Sequence, residues 1–202
     1  YPLRRQRQMC IRDRVIGELP TRLQVNGTSY AIRTDMQDIL KVLQAFNDPE
    51  LENEEKVYIC LFIIYRDFDK MPQSDYSAAY QAAADFMDCG VHTGGTKGRP
   101  SVRTMDWEQD APLIFPAINK VAGCEVRSIP HLHWWTFMGY FMEIHDGVFA
   151  QVMSLRAKKA KGKKLEKWER EFWAANKDLC VLKVKRSKEE QEEIDRLNKL
   201  LD

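Results

Sequence analysis

Apolar residues alternate at Leu23, Val25, Tyr30 and Ile32 on either side of Asn26-Gly27. Asn-Gly readily takes the positive φ angles of a type I′ turn, so this stretch predicts a β-hairpin. The period then changes: Met36, Ile39, Leu40, Leu43 and Phe46 recur at spacings of three and four, one face of a helix, with Thr34 and Asp35 as candidate caps and Asn47-Asp48-Pro49 as a stop. Asn53 suits the next N-cap, and Glu54 and Glu55 suit the positive end of a helix dipole. The run from Val57 to Tyr65 is apolar on every face. It predicts a central helix buried all round.

A third helix is expected from Ser74 or Asp75 to Gly90, with alanines over 78–84 that let a neighbour approach closely. Gly90 to Met105 is glycine-rich and aperiodic, and reads as a long surface loop. Asp110-Ala111-Pro112 makes a helix entry, Pro116 should kink that helix, and Gly123 should end it. Ser128 with Pro130 is expected to start the next one. It carries Leu132, Trp135, Met138, Gly139 and Met142 on one stripe and Trp134, Phe137 and Phe141 on another, so it needs two partners. Asp146-Gly147 precedes a helix with Val148, Phe149, Val152, Met153 and Leu155, which runs into a lysine-rich segment from Arg156 to Arg170. Leu165, Trp168 and Phe172 resume an apolar stripe expected to be core. Ser187 and Glu190 form a capping box for a last helix bearing Ile194, Leu197 and Leu201. The expected fold is mainly α: a single helical domain over 15–182 beginning with a small β-hairpin, then a C-terminal helical arm over 183–202.

Composition narrows the class. With 202 residues, 44% hydrophobic and 30% charged, and only 10 Gly and 8 Pro, the chain is neither collagen-like nor disordered. Its longest apolar run is nine residues, well short of the roughly 20 that cross a bilayer as a helix. Cys10, Cys60, Cys89, Cys124 and Cys180 are odd in number and never in a CxxC pair, which argues against a disulfide framework or a zinc knuckle and for a reducing cytoplasm. The formal charge of +1 conceals a +4 block over 1–14, a −8 body over 15–155 and a +5 tail over 156–202. Residues 7–14 can be back-translated into a transposon mosaic-end adapter used in sequencing libraries, so 1–14 is read as a non-native, adapter-derived segment.

Candidate chemistry is sparse. His131 and His133, with His92 and Cys124 elsewhere, raise the question of a metal, yet residues two apart on a helix point roughly 200° from each other and cannot chelate unless the backbone is extended there. Gly94 to Pro100 resembles a phosphate loop but fails the GxxxxGK[ST] pattern. No serine, cysteine or carboxylate pair stands in a recognisable catalytic setting, so no enzyme activity, metal or cofactor is expected. Lys158, Lys159, Lys161, Lys163 and Lys164, with Arg156, Lys167 and Arg170, could neutralise phosphates. A solvated helix face with local Glu166 and Glu169 pairs is the preferred reading, and nucleic acid the lesser one.

Several segments together resemble a known family: Ile16-Gly-Glu-Leu-Pro20, Tyr30-Ala-Ile-Arg-Thr-Asp35, Asp48-Pro49-Glu50-Leu51, Phe86-Met-Asp-Cys-Gly90, Met105-Asp106-Trp107-Glu-Gln-Asp110 and, above all, Leu132-His133-Trp134-Trp135-Thr-Phe137. From Val15 to about Leu182 the chain is similar to the bacteriophage gene product 15 family. That resemblance implies a tail assembly chaperone of siphophages, encoded beside the tape-measure gene and carrying no catalytic residues. The implied partners are the tape-measure protein and the tail-tube protein, met in the host cytoplasm and not in the mature virion; no membrane is involved. The motif His133, Trp134 and Trp135 is expected to be structural. Phe137, Met138, Phe141 and Met142 are expected to offer an adaptable apolar face to a client helix.

Overall fold

The computed structural model describes residues 17–90 and 103–201. The 1–14 segment, His92 and the Gly94 to Pro100 stretch lie outside the described residues. The protein is mainly α, one domain opening on a two-stranded antiparallel hairpin.

Strands β1 (Arg22–Val25) and β2 (Thr28–Ala31) pair Leu23 with Tyr30 and Val25 with Thr28. Asn26 and Gly27 both have positive φ, 48° and 84°, as the expected type I′ turn requires. Only β1 sends two residues into the core, Leu23 and Val25. The hairpin is then tied down at two points. Tyr30 and Asn26 both donate to the Asp75 carboxylate, at 3.0 and 2.9 Å. Beyond β2, Ile32 pairs with Tyr65, with Arg33 N–H donating to the Ile64 carbonyl at 2.7 Å.

Helix α1 (Met36–Phe46) starts where its period predicted, and the Asp35 side chain accepts from the Gln37 amide at 2.8 Å. Helix α2 (Asn53–Ile64) is capped by Glu52, one residue before the expected Asn53, in a reciprocal box with Glu55. It is not buried all round. Cys60, Leu61 and Ile64 face the core, while Tyr58 and Phe62 are 55% and 60% exposed. The reason is topological: α2 packs mainly on α1 and on α3 (Tyr76–Met87), and on its third face Tyr58 and Phe62 meet the short 3-10 turn Phe68–Lys70, which covers them only in part. Ala79 and Ala83 of α3 are fully buried, which lets that helix come close to α2 and β1.

Helix α4 (Ala111–Ala122) carries Pro112 in its first turn, continues through Pro116 and ends at Gly123, whose φ of 71° suits a residue without a Cβ. Helix α5 (Trp134–Met142) begins six residues later than Ser128 suggested. Val126–Ser128 form only a 3-10 turn, and the backbone around His133 is extended, bridging antiparallel to Asp35. Pro130 explains the delay, because it disfavours helical conformation in the residue before it. Helices α6 (Gly147–Ala160), α7 (Lys167–Ala175) and the short α8 (Lys177–Cys180) form a smaller second layer around Val152, Leu155 and Cys180. The main core runs from the hairpin through α1–α5 to Phe149. The arm ends in α9 (Lys188–Leu201), opened by the expected Ser187–Glu190 box.

Candidate functional site

The His-Trp-Trp motif sits where two distant segments zip together. Leu132 N–H donates to Asp35 Oδ2 at 3.0 Å, Met36 N–H to the Leu132 carbonyl at 2.9 Å, and Trp134 N–H to the Thr34 carbonyl at 2.7 Å. Asp35 therefore caps α1 with one oxygen and holds the approach to α5 with the other. His133 caps α5: its Nδ1 accepts from the Trp135 amide at 3.1 Å, which leaves the proton on Nε2 to donate to the Pro20 carbonyl at 3.0 Å. Burial pushes its pKa below the ordinary histidine value. His131 instead meets Thr34 Oγ1 through Nε2 at 3.1 Å. Both rings thus have partners within the chain, and among the described residues no three His, Cys, Asp or Glu side chains cluster as metal ligands would.

The two indoles do a second job. Trp134 Nε1 donates to the Met87 carbonyl and Trp135 Nε1 to the Phe86 carbonyl, both at 2.8 Å, at the last turn of α3, where the Phe86 carbonyl also accepts from the Cys89 amide at 3.0 Å. Phe86 stacks on Trp135 at 6.1 Å and meets the His133 ring edge-on at 5.9 Å. These three residues hold α1, α3 and α5 together.

The apolar face expected on α5 mostly points inward. Phe137 is fully buried against Trp107, Phe115 and Trp134. Phe141 is half-buried between Trp107 and Phe149, and Met138 is half-buried against the main core. Met142 alone of the four is open, at 56%. The physical reason is that α5 has neighbours on both greasy stripes: α1 and α3 on one side, α4 and Phe149 on the other.

The basic segment is split by the fold. Arg156 is not part of a solvated face. It is buried and donates to both oxygens of Asp110, at 2.7 and 2.9 Å, and to the carbonyls of Thr104 and Cys180 at 3.0 and 2.9 Å. A further bond to the Leu179 carbonyl completes its set of donors. Lys158 pairs with the buried Glu169, eleven residues on, and holds that carboxyl below its usual range. Lys159 lies 4.0 Å over the Trp173 ring. Lys161, Lys163 and Lys164 remain exposed around the turn between α6 and α7. Trp168, expected in the core, is 56% exposed beside them, because α7 turns Phe172 and Trp173 toward the second cluster instead.

Two features were absent from the sequence reading. The first is the Asp110–Arg156 pair; its only sequence signal is one arginine on the Phe149, Val152 and Leu155 stripe. The second is a shallow groove of about 330 Å³ lined by Tyr58, Phe62, Phe68 and Tyr76, with Arg33, Arg66 and Asp69 on its rim. Tyr58 and Phe62 lie parallel, 7° apart in plane, and both meet Phe68 edge-on. Their spacing of four on α2 is the signal that marks one face.

No helix among the described residues is long and apolar enough to cross a membrane. No curated protein and no solved structure matches the chain. The family model described as Bacteriophage Gp15 protein matches residues 15–182, the stretch that holds the hairpin, the His-Trp-Trp brace and the Asp110–Arg156 pair. The chain belongs to the Bacteriophage Gp15 protein family.

Proposed function

We propose that this phage protein is a non-catalytic tail assembly chaperone that binds the tape-measure protein and keeps it soluble until tail-tube subunits enclose it. A long helical client with one apolar face aggregates unless that face is covered, and a helical body can cover it with an apolar groove. The observation that carries the reading is the open aromatic groove of α2, on a member of a phage family. Tyr58 and Phe62 are better placed to meet a client than Phe137, which is sealed in the core. On this reading the protein works in the host cytoplasm and is absent from mature particles.

The test is co-expression with the tape-measure protein. The expected result is a soluble client that co-purifies through moderate salt, and a Phe62→Ser chain that folds but loses it. An insoluble client that never co-purifies overturns the proposal, and recovery of the chain from purified virions assigns it instead to the tail structure. The lesser reading, nucleic-acid binding through Lys161, Lys163 and Lys164, has support in the exposed Trp168 next to them. It predicts an affinity that falls steeply with salt.

A further inference from the structure

The groove on α2 has a counterpart on the same chain. Helix α9 carries half-buried Ile194 and exposed Leu197 on one face, and with exposed Val184 they form an apolar strip rimmed by Arg186, Glu190 and Glu193. The tail that leads to it is anchored by polar contacts that stop where the helix starts. Gln109 exchanges two 2.8 Å hydrogen bonds with the Lys183 backbone, Lys185 pairs with Glu108, and Lys188 N–H donates to Glu50 Oε1 at 2.6 Å. Among the described residues no helix or strand packs extensively along α9 beyond that point.

The two rims are opposite in sign. The groove presents two arginines and one aspartate, Arg33, Arg66 and Asp69; the helix presents two glutamates and one arginine, Glu190, Glu193 and Arg186. Among the described residues neither Arg33 nor Arg66 is paired with a carboxylate; their guanidinium groups donate only to carbonyls, of Phe62, Ile63 and Tyr65 for Arg33 and of Ile32 for Arg66. Glu193 likewise has no cationic partner there, and Glu190 is engaged only in the α9 cap. An acidic-rimmed apolar helix is therefore the complement of an arginine-rimmed aromatic groove.

We propose that α9 of one copy docks in the α2 groove of a second copy, and that the exchange is reciprocal. A single helix in a shallow groove falls short of the roughly 1,200 Å² that a stable interface buries. Two such contacts double the area and close a two-fold pair, whereas a one-way dock leaves a groove and a helix open at each end and continues as a chain. The inference touches the reading above at one point only: a client helix and α9 compete for the same groove. Self-association itself needs no client.

Sedimentation of the full-length protein over a dilution series tests it. The expected result is a species of twice the chain mass that dissociates on dilution and weakens as salt screens the rim charges. Phe62→Ser and Leu197→Glu, both at exposed positions, should each raise the dissociation constant by at least about tenfold with an unchanged circular dichroism spectrum. Mixing the two variants restores one intact helix-in-groove contact per pair, so the mixture should associate more tightly than either alone. A wild-type chain that stays monomeric at every concentration, a dimer indifferent to both substitutions, or a mixture that associates no more tightly than either variant alone each overturns the exchange. A monomeric wild type whose Phe62→Ser variant loses the tape-measure client leaves the chaperone function standing without the exchange. A dimer with both variant responses but no client capture leaves the exchange standing without the chaperone function.

Discussion

Helices α2 and α5 each carry a run of apolar residues reaching more than one face, and the fold treats them oppositely. Trp134 and Phe137 of α5 are sealed among Trp107, Phe115 and the end of α3, and the indole of Trp134 is hydrogen-bonded as well as buried. On α2, Tyr58 and Phe62 stand open to solvent although the flanking Cys60, Leu61 and Ile64 are completely enclosed. The difference lies in neighbours. Helix α5 has neighbours on both stripes, whereas α2 has α1 and α3 on two faces and, against Tyr58 and Phe62, only partial cover from the short 3-10 turn that carries Phe68. An apolar residue is buried only where another element arrives to cover it, so a greasy helix with an incompletely covered face leaves an exposed apolar surface.

Substitutions sharpen this contrast. The largest effects should come from the interior. Arg156→Ala leaves the Asp110 carboxylate buried without its cation and strips donors from three carbonyls, so a loss of about 3–5 kcal/mol is expected in urea unfolding, with the α6–α8 layer detaching first. Phe137→Ala opens a cavity between α4 and α5 and should cost about 3–5 kcal/mol by the same measurement. A loss below about 1 kcal/mol there would mean that α5 is less enclosed than α2, the reverse of the comparison.

Next comes the cap of α5. His133→Ala removes the α5 cap and should cost about 1 kcal/mol. Burial lowers the His133 pKa in the folded state, so the unfolded chain takes up the proton first. Its contribution to stability is therefore complete above the unfolded value of about 6.5 and is lost as pH falls from there through the lower folded value. His133→Asn, which keeps a capping oxygen without a titrating group, should flatten that part of the stability profile; an unchanged slope would assign it to another group.

The smallest effect belongs to the open face. Phe62→Ser should cost less than about 1 kcal/mol of unfolding stability, since the ring gives up only its stacking on Tyr58 and an edge contact with Phe68, while it disrupts association. A loss comparable with Phe137→Ala would place Phe62 in the core and remove the groove from consideration.

Much of the fold was legible locally. The hairpin followed from Asn26-Gly27, α1 from its period and its Asp35 cap, and α9 from Ser187 and Glu190, because each of these signals acts within about four residues. The late start of α5 was not legible in the same way. Ser128 and Pro130 look like a helix entry, but the extended stretch after them is stabilised by backbone pairing with Thr34 and Met36, about 97 residues away. Trp168 illustrates the same limit from the other side, since its helical stripe was visible while the choice of Phe172 and Trp173 to cover the second cluster was not.

The sequence by itself determined the helical class, the order of the main elements and the family, since short-range periodicity, capping chemistry and motif order carry that information. Only the tertiary structure decided which apolar faces are closed. That choice enclosed Phe137, opened Tyr58 and Phe62, and drew Arg156 out of a run of basic residues to meet Asp110, because burial is a property of what packs against a side chain and not of the side chain alone.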